Sequence, residues 1–323
     1  MHCTGGGNCA GSALLPLFAL EMARSAVVSV LVPTYQHAPF IAKCLDGILR
    51  QRTSFPFEVL VGEDGSTDGT REICQRYAAE HPDRIRLFLR DRKDVMVIMG
   101  RQTGRANLKQ LLQEATGKYI AICEGDDYWT DPLKLQKQYD YLERHPECVL
   151  AHHDAFILDH SEKVVMPSKL PKRHQRDNTS DELQRAEFFI LTLSAFFRSC
   201  PVLRSMPPEF DKVLNGDSFL FMLLGEYGCG HYMPEVEPAA YRKHEGGMWS
   251  SQTEVQQVRV RLNTYLWMAV FHAREQRFEL ASHFVHRAND LVKEPFRWNE
   301  IKYRNGYRWF SRVMGWFGVS FPR

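Results

Sequence analysis

"YIAICEGDDYWTDPLKLQKQ", residues 119–138, is the stretch on which the fold turns. Tyr119–Cys123 is a short apolar run of the kind that forms a buried strand. Asp131 and Pro132 then carry the residue types that open a helix. Between the two, Glu124, Asp126 and Asp127 fall within four positions of the strand end. At that spacing the carboxylates repel one another, and a cation relieves the repulsion.

Outward from this stretch, strand and helix patterns alternate. On the N-terminal side, Val27–Val32 is a β-branched run stopped by Pro33. Pro39 sits at a first helical position, and Phe40, Ile41, Cys44, Leu45, Ile48 and Leu49 repeat with helical spacing. Phe57–Val61 reads as a second strand. Ser66, Thr67 and Asp68 offer caps for a helix that runs to about Glu80, where His81-Pro82 ends it. Arg84–Leu89 is a third strand. A helix over about Arg105–Ala115 follows, with Gly117 as its C-terminal signal, and Tyr119–Cys123 is the fourth strand. This alternation predicts an α/β fold, a Rossmann-like, mostly parallel sheet with helices on both faces. Ligands of such sheets bind beyond the carboxyl ends of the strands, where strand order reverses. Three polar clusters lie there: Pro33–His37, Glu63–Asp68 and Glu124–Asp127.

Bulk composition narrows the function. The 323 residues carry a net charge of +2 with 25% charged residues, so no global field marks a nucleic-acid binder. The eight cysteines have no C-x-x-C pair and no zinc spacing. Cys44, Cys74, Cys123 and Cys148 lie in apolar periodic segments and read as reduced, packed thiols, which fits a cytoplasmic protein. No run approaches the ~18 apolar residues of a membrane span. Residues 1–25 lack a basic start to their apolar run and read as a disordered extension, or as a start placed too early with Met22 the true beginning.

The sequence has neither G-x-G-x-x-G after the first strand nor G-x-x-x-x-G-K-[ST], so it lacks both phosphate cradles. A hard cation, Mg²⁺ or Mn²⁺, accepts one or two carboxylates together with phosphate oxygens. The Glu124–Asp127 cluster can supply the carboxylates. Asp64 is placed to accept from a ribose hydroxyl or a base N–H, with Tyr35 offering an aromatic edge. Asp68 reads as a helix cap.

Three segments taken together, "VSVLVPTYQHAPFIAKCLDGIL", "FEVLVGEDGSTDGTREI" and "GKYIAICEGDDYWTDPLKLQKQ", resemble the family 2 glycosyltransferases of bacterial surface-polysaccharide assembly. The resemblance runs from about Val27 to Ser250. It implies the GT-A fold, a nucleotide-diphosphate sugar donor with a UDP-sugar favoured, a divalent metal, and inversion at the anomeric centre. It assigns Pro33, Thr34, Tyr35, Glu63 and Asp64 to the nucleoside pocket. Glu124, Asp126 and Asp127 become the D-x-D-type cluster, with Asp127 as direct metal ligand and Asp126 nearest the donor sugar and ribose and sharing the metal. Arg105 either reaches the donor or is a solvated arginine at a helix start. Two positions depart from the family pattern: Gln36 replaces Asn, and Glu124 replaces the first Asp of the cluster, one methylene longer.

In the second half, residues 161–181 read as a mobile loop over the site or a long surface connection, and Phe188–Phe197 as a buried strand. Asp217 lies in the first turn of the apolar helix in "LNGDSFLFMLL", where it can be an N-cap. The resemblance makes it the general base, with Asp211 as the rival. "YRKHEGG", residues 241–247, matches a family stretch near the donor diphosphate. There Arg242 and His244 supply positive charge, His244 can complete the metal shell, and Gly246 and Gly247 let the loop fold over the nucleotide; a surface histidine in a turn is the alternative. Helices follow over about Thr253–Gln276 and Glu279–Lys293. In the tail, Phe310, Val313, Met314 and Phe317 share one helical face and Arg304, Arg308 and Arg312 another. This amphipathic pattern suits either peripheral contact with the inner face of the cell membrane or packing on the catalytic domain.

The expected organisation is an N-terminal extension (1–25), a GT-A domain (26–250) and a C-terminal helical region (251–323). The expected activity is transfer of a sugar to a hydroxyl of a saccharide or lipid-linked acceptor. A sugar nucleotidyltransferase and a catalytically inactive nucleotide-sugar binding module are the alternatives. The Pro-Thr-Tyr-Gln-His loop argues against the first of these, and intact Asp126, Asp127 and Asp217 against the second.

Overall fold

The computed structural model describes residues 26–244 and 252–293. The expectations for residues 1–25, for Gly246 and Gly247, and for the tail beyond Lys293 lie outside the described residues. The first strands and helices follow the sequence pattern: β1 (Val28–Thr34), α1 (Ile41–Leu49), β2 (Phe57–Glu63), α2 (Thr70–Glu80) and β3 (Ile85–Leu89). A hairpin of β4 (Met96–Ile98) and β5 (Arg101–Thr103), which the periodicity does not announce, precedes α3 (Arg105–Glu114) and β6 (Tyr119–Ile122). Then come α4 (Lys134–Arg144), β7 (Cys148–His152), β8 (Ala155–Leu158), β9 (Val164–Met166), α5 (Ser180–Gln184) and β10 (Phe196–Arg198). The described chain closes with α6 (Gly216–Leu224), β11 (Cys229–Tyr232), β12 (Ala239–Arg242), α7 (Glu254–Arg274) and α8 (Phe278–Lys293).

The main sheet has seven strands in the order β11-β7-β10-β6-β1-β2-β3. β6, β1, β2 and β3 run parallel, while β10 is antiparallel to both of its neighbours. The chain leaves β1 toward β2 and β3, then returns to the other side of β1 as β6. Strand order therefore reverses between β1 and β6, and the place where such sheets bind ligands lies beyond their carboxyl ends.

Alternation along the strands divides the core between the two faces. Val28, Val30 and Val32 pack with Ile41, Cys44, Leu45 and Ile48 of α1 and Leu135 and Leu142 of α4. Leu31, Leu60, Ile120 and Ile122 pack with Leu111 and Leu112 of α3, Phe219–Leu224 of α6 and Phe271 of α7. No helix among the described residues is long and apolar enough to cross a membrane.

Four expectations are corrected. Pro33 does not stop β1 but lies inside it, opposite Gly62. It lacks only a donor, and its carbonyl still accepts from Gly125 N (3.1 Å). Phe188–Phe197 is buried in large part but is not a strand before Phe196. Its carbonyls are taken by side chains instead: Trp129 Nε1 donates to Leu193 O (2.7 Å) and Gln138 Nε2 to Ser194 O (3.0 Å). Cys148 is not a reduced thiol but is joined to Cys229, because adjacent β7 and β11 bring their Cα atoms to 4.5 Å. Cys44, Cys74 and Cys123 are free and buried. Finally, the N-cap of α2 is Gly69, in the left-handed region at φ 102°. Asp68 instead accepts from Thr70 N (3.1 Å) and from Ala38 N (3.0 Å), tying the start of α2 to the loop after β1.

Candidate active site

The loops after β1 and β6 meet at the strand-order reversal. Their approach depends on Gly125, where a Cβ would lie 2.4 Å from Thr34 Oγ1 and 2.9 Å from His37 Nδ1. This closeness brings the acids of 124–127 against the histidine of the first loop. Thr34 Oγ1 and His37 Nδ1 are 3.1 Å apart, which leaves His37 Nε2 3.9 Å from Asp126 Oδ2. His244, just beyond β12, approaches Asp126 Oδ2 through Nε2 at 3.0 Å. Ligand atoms of His37, Asp126 and His244 all lie within 4.8 Å of one another.

The three carboxylates differ in environment. Burial and the nearby Asp126 and Asp217 charges push Glu124 up to about 8. Burial also works against ionisation of Asp126, but the His244 hydrogen bond and the two imidazoles hold it below the usual carboxylate range. Asp127 is raised by burial and by its two acidic neighbours, and its Oδ1 accepts from Arg242 N at 2.9 Å. Asp126, with both imidazoles, is thus the ionised centre of the rim.

At the end of β2 the predicted nucleoside residues separate. Glu63 is fully buried, ion-paired with Arg71, and accepts from Ser66 N (2.6 Å), so it shapes the turn from below. Asp64 is paired with Arg92 (2.8 Å), whose guanidinium lies 4.0 Å from the centroid of the exposed Tyr35 ring. Burial raises the Asp64 carboxyl, and Arg92 opposes that rise. Tyr35, Arg92 and Asp64 form one patch of aromatic, cationic and anionic groups beside Thr34.

Asp217 lies one residue past the first residue of α6, beyond the cap position held by Asn215. Its Oδ1 accepts from Ser218 N (2.6 Å) and its Oδ2 from the Thr192 hydroxyl (3.2 Å). The rival, Asp211, is taken up by Lys109 at 2.7 and 2.9 Å. Arg105 is neither solvated nor in the nucleoside patch. It is buried beneath the start of α6, donates to Val213 O (3.1 Å) and Leu214 O (3.4 Å), and lies 4.3 Å from the Phe210 ring centroid. A Cβ at Gly216 would fall 1.2 Å from its Nη1.

Arg242 also departs from the predicted direction. Along β12 successive side chains alternate, and its guanidinium pairs with Glu162 (2.6 Å) among the Phe40 and Tyr128 rings. Tyr241 takes the opposite direction. Burial and the charges of Asp127, Asp126, Glu124 and Asp217 push its phenol up. Periodicity did not single out His37 as a ligand candidate, nor Arg92, Thr192 or Tyr241. Only the run Pro33–His37 at a strand end pointed toward the first of them.

The sequence profile described as "Glycosyl transferase family 2" matches residues 29–200. An uncharacterised protein of Mycobacterium tuberculosis is 37% identical over 224 residues, covering 69% of this chain and 61% of its own length. The chain therefore spans less than two thirds of that relative. Among solved structures, S. aureus TarS 1-349 in complex with UDP-GlcNAc superposes with a TM-score of 0.51 at 17% identity, covering 74% of this chain and 66% of that 1-349 chain. The mannosyltransferase PcManGT of Pyrobaculum calidifontis, in complex with GDP-Man and Mn²⁺, gives a TM-score of 0.51 at 17% identity, covering 94% and 88%. These likenesses identify the architecture as the GT-A fold. The profile match over residues 29–200, on a sheet with its acids at the strand-order reversal, places the chain in glycosyl transferase family 2.

Proposed function

We propose that the protein is an inverting, metal-dependent glycosyltransferase. It would move a sugar from a nucleoside-diphosphate donor, a UDP-sugar in the favoured case, to a hydroxyl of a saccharide or lipid-linked acceptor in surface-polysaccharide assembly. The observation that carries the reading is the meeting of Asp126 with His37 and His244 at the sheet's reversal point, with Asp217 in electrostatic reach of the same rim. The complexes of TarS with UDP-GlcNAc and of PcManGT with GDP-Man and Mn²⁺ support a nucleotide-sugar donor.

The donor set fits a divalent ion. Two imidazoles and a carboxylate suit Mn²⁺ better than Mg²⁺, which prefers oxygen ligands alone. His37, Asp126 and His244 would hold the ion, and Asp127, fixed by Arg242 N, would complete the acidic wall. When bound, the ion neutralises charge on the departing diphosphate.

The chain's own groups do the rest. Tyr35 offers a ring face, with Asp64 and Arg92 beside it to pair with a base edge or ribose hydroxyl; Pro33 and Thr34 line the neighbouring wall. Asp217, oriented by the Thr192 hydroxyl and Ser218 N, accepts the proton of the attacking hydroxyl as the new C–O bond forms. Attack from the side opposite the diphosphate inverts the anomeric carbon. Arg242 braces the wall through Glu162 and the Phe40 ring rather than touching phosphate.

The test is to incubate the protein with candidate nucleotide sugars, Mn²⁺ and lipid-linked or oligosaccharide acceptors, and to measure free nucleoside diphosphate together with the glycosylated product. Transfer with inverted anomeric configuration is the expected result. Pyrophosphate release from nucleoside triphosphate, or tight binding without turnover for every acceptor, would overturn the reading.

A further inference from the structure

Lys169 lies in the segment between β9 and α5, yet its backbone is pinned. Lys169 N donates to Ala155 O (2.6 Å), and on its two sides Leu170 N donates to Asp154 Oδ1 (2.8 Å) and Ser168 Oγ donates to Asp154 Oδ2. Gln175 Nε2 ties the same segment through Leu170 O (2.9 Å) and Ser168 Oγ (3.0 Å). From this fixed base the Lys169 ammonium is 3.8 Å from the centroid of the Tyr241 ring. Tyr241 points along β12 opposite to Arg242, and the charges of Asp127, Asp126, Glu124 and Asp217 all act on its phenol. Burial lowers the Lys169 ammonium and the Asp127 charge opposes that loss. Among the described residues it has neither an ion-pair nor a hydrogen-bond partner. An ammonium held part-buried on an aromatic face, with no carboxylate in direct contact among the described residues, is a seat for an anionic oxygen.

We propose that Lys169, steadied by the Asp154 clamp and the Tyr241 ring, binds the β-phosphate of the nucleoside-diphosphate leaving group. This rests on the transferase reading above. As the acceptor oxygen bonds to the anomeric carbon, the bond from that carbon to the β-phosphate oxygen breaks and its electron pair stays on the phosphate. The acceptor proton goes to Asp217. Lys169 donates a hydrogen bond to the phosphate and transfers no proton, so it acts in both donor binding and departure.

The experiment is calorimetric titration, with Mn²⁺ present, of UDP, GDP, ADP, CDP and dTDP and of the matching monophosphates into the full chain and its Lys169→Met and Lys169→Arg variants. Lys169→Met is expected to weaken the preferred diphosphate by roughly ten-fold or more and to leave the monophosphate unchanged, with Lys169→Arg recovering most of the loss. Equal loss for mono- and diphosphate would reduce Lys169 to a structural role and overturn the assignment. Unchanged diphosphate affinity with a raised acceptor KM would overturn it in favour of an acceptor-borne anion. Absence of binding by every nucleotide to the unmodified protein would sink the transferase reading, and this assignment with it.

Discussion

Asp217 holds a carboxylate whose hydrogen-bond partners, the Thr192 hydroxyl and Ser218 N, leave acceptor capacity on both oxygens. Asp217→Asn keeps those contacts in size but loses basicity. Turnover is expected to fall by about 10²–10⁴-fold with donor affinity unchanged, measured by steady-state kinetics beside calorimetry. His37→Ala should weaken Mn²⁺ binding by about 10-fold or more, read from the Mn²⁺ paramagnetic signal without any substrate; unchanged affinity would remove His37 from the ligand set. The acids were legible in the sequence because three carboxylates at the end of an apolar strand leave few structural uses. His37, Arg92 and Thr192 were not, because each reaches the site through a loop whose course depends on partners far along the chain. Arg105 misled for the same reason: a helix-start arginine gives no sign in sequence that Val213, Leu214 and Phe210 enclose it.

Elements were legible where both faces of a strand are buried and a periodic helix follows, as from β1 to α3. The reading failed at Phe188–Phe197, where hydrophobicity marked burial correctly but not backbone form. Side chains from α4 and the 124–131 loop satisfy those carbonyls in place of a neighbouring strand, and local sequence carries no trace of them. The polar, basic composition of residues 161–181 suits a mobile loop and a surface connection equally. Asp154, at the turn between β7 and β8, ties down residues 168–175 through Ala155 N, Leu170 N, Ser168 and Gln175. Asp154→Ala strands two backbone donors and should cost about 2–4 kcal/mol in denaturant unfolding, with faster protease cleavage in this segment. A cleavage rate equal to that of the unmodified protein would show that the clamp does not hold the loop.

For the whole molecule, α/β alternation was enough to foresee a mostly parallel sheet, but not the antiparallel insertion of β10 between β6 and β7, which involves strands distant in sequence. Nor did composition reveal the Cys148–Cys229 link between β7 and β11. Stability of the assembled domain carries an acid-sensitive element in the α7–α8 pair. His272 is buried, stacked on Phe284 with ring centroids 5.5 Å apart, and has no hydrogen-bond partner on either ring nitrogen among the described residues. Burial, with the Arg277 and His283 charges, lowers it to about 4. Its folded pKa lies below the unfolded value, so the unfolded chain binds more protons between these values, and stability is lost as pH falls from about 6.5 toward 4. His272→Phe removes that linkage. Its stabilisation should be about 2 kcal/mol larger at pH 5 than at pH 7 by thermal or denaturant unfolding, and a pH-independent difference would refute the assignment.

The guanidinium wedged beneath residue 216 sets an order on how this chain can change over evolutionary time. A lineage that first gains a methyl group at 216 evicts a charged group from its enclosure and unseats the turn beneath the candidate base, so that path is closed by loss of fitness. A lineage that first trades Arg105 for a shorter neutral residue vacates the space and leaves 216 free to vary. Aligned descendants should therefore show larger residues at 216 only where arginine at 105 has already gone.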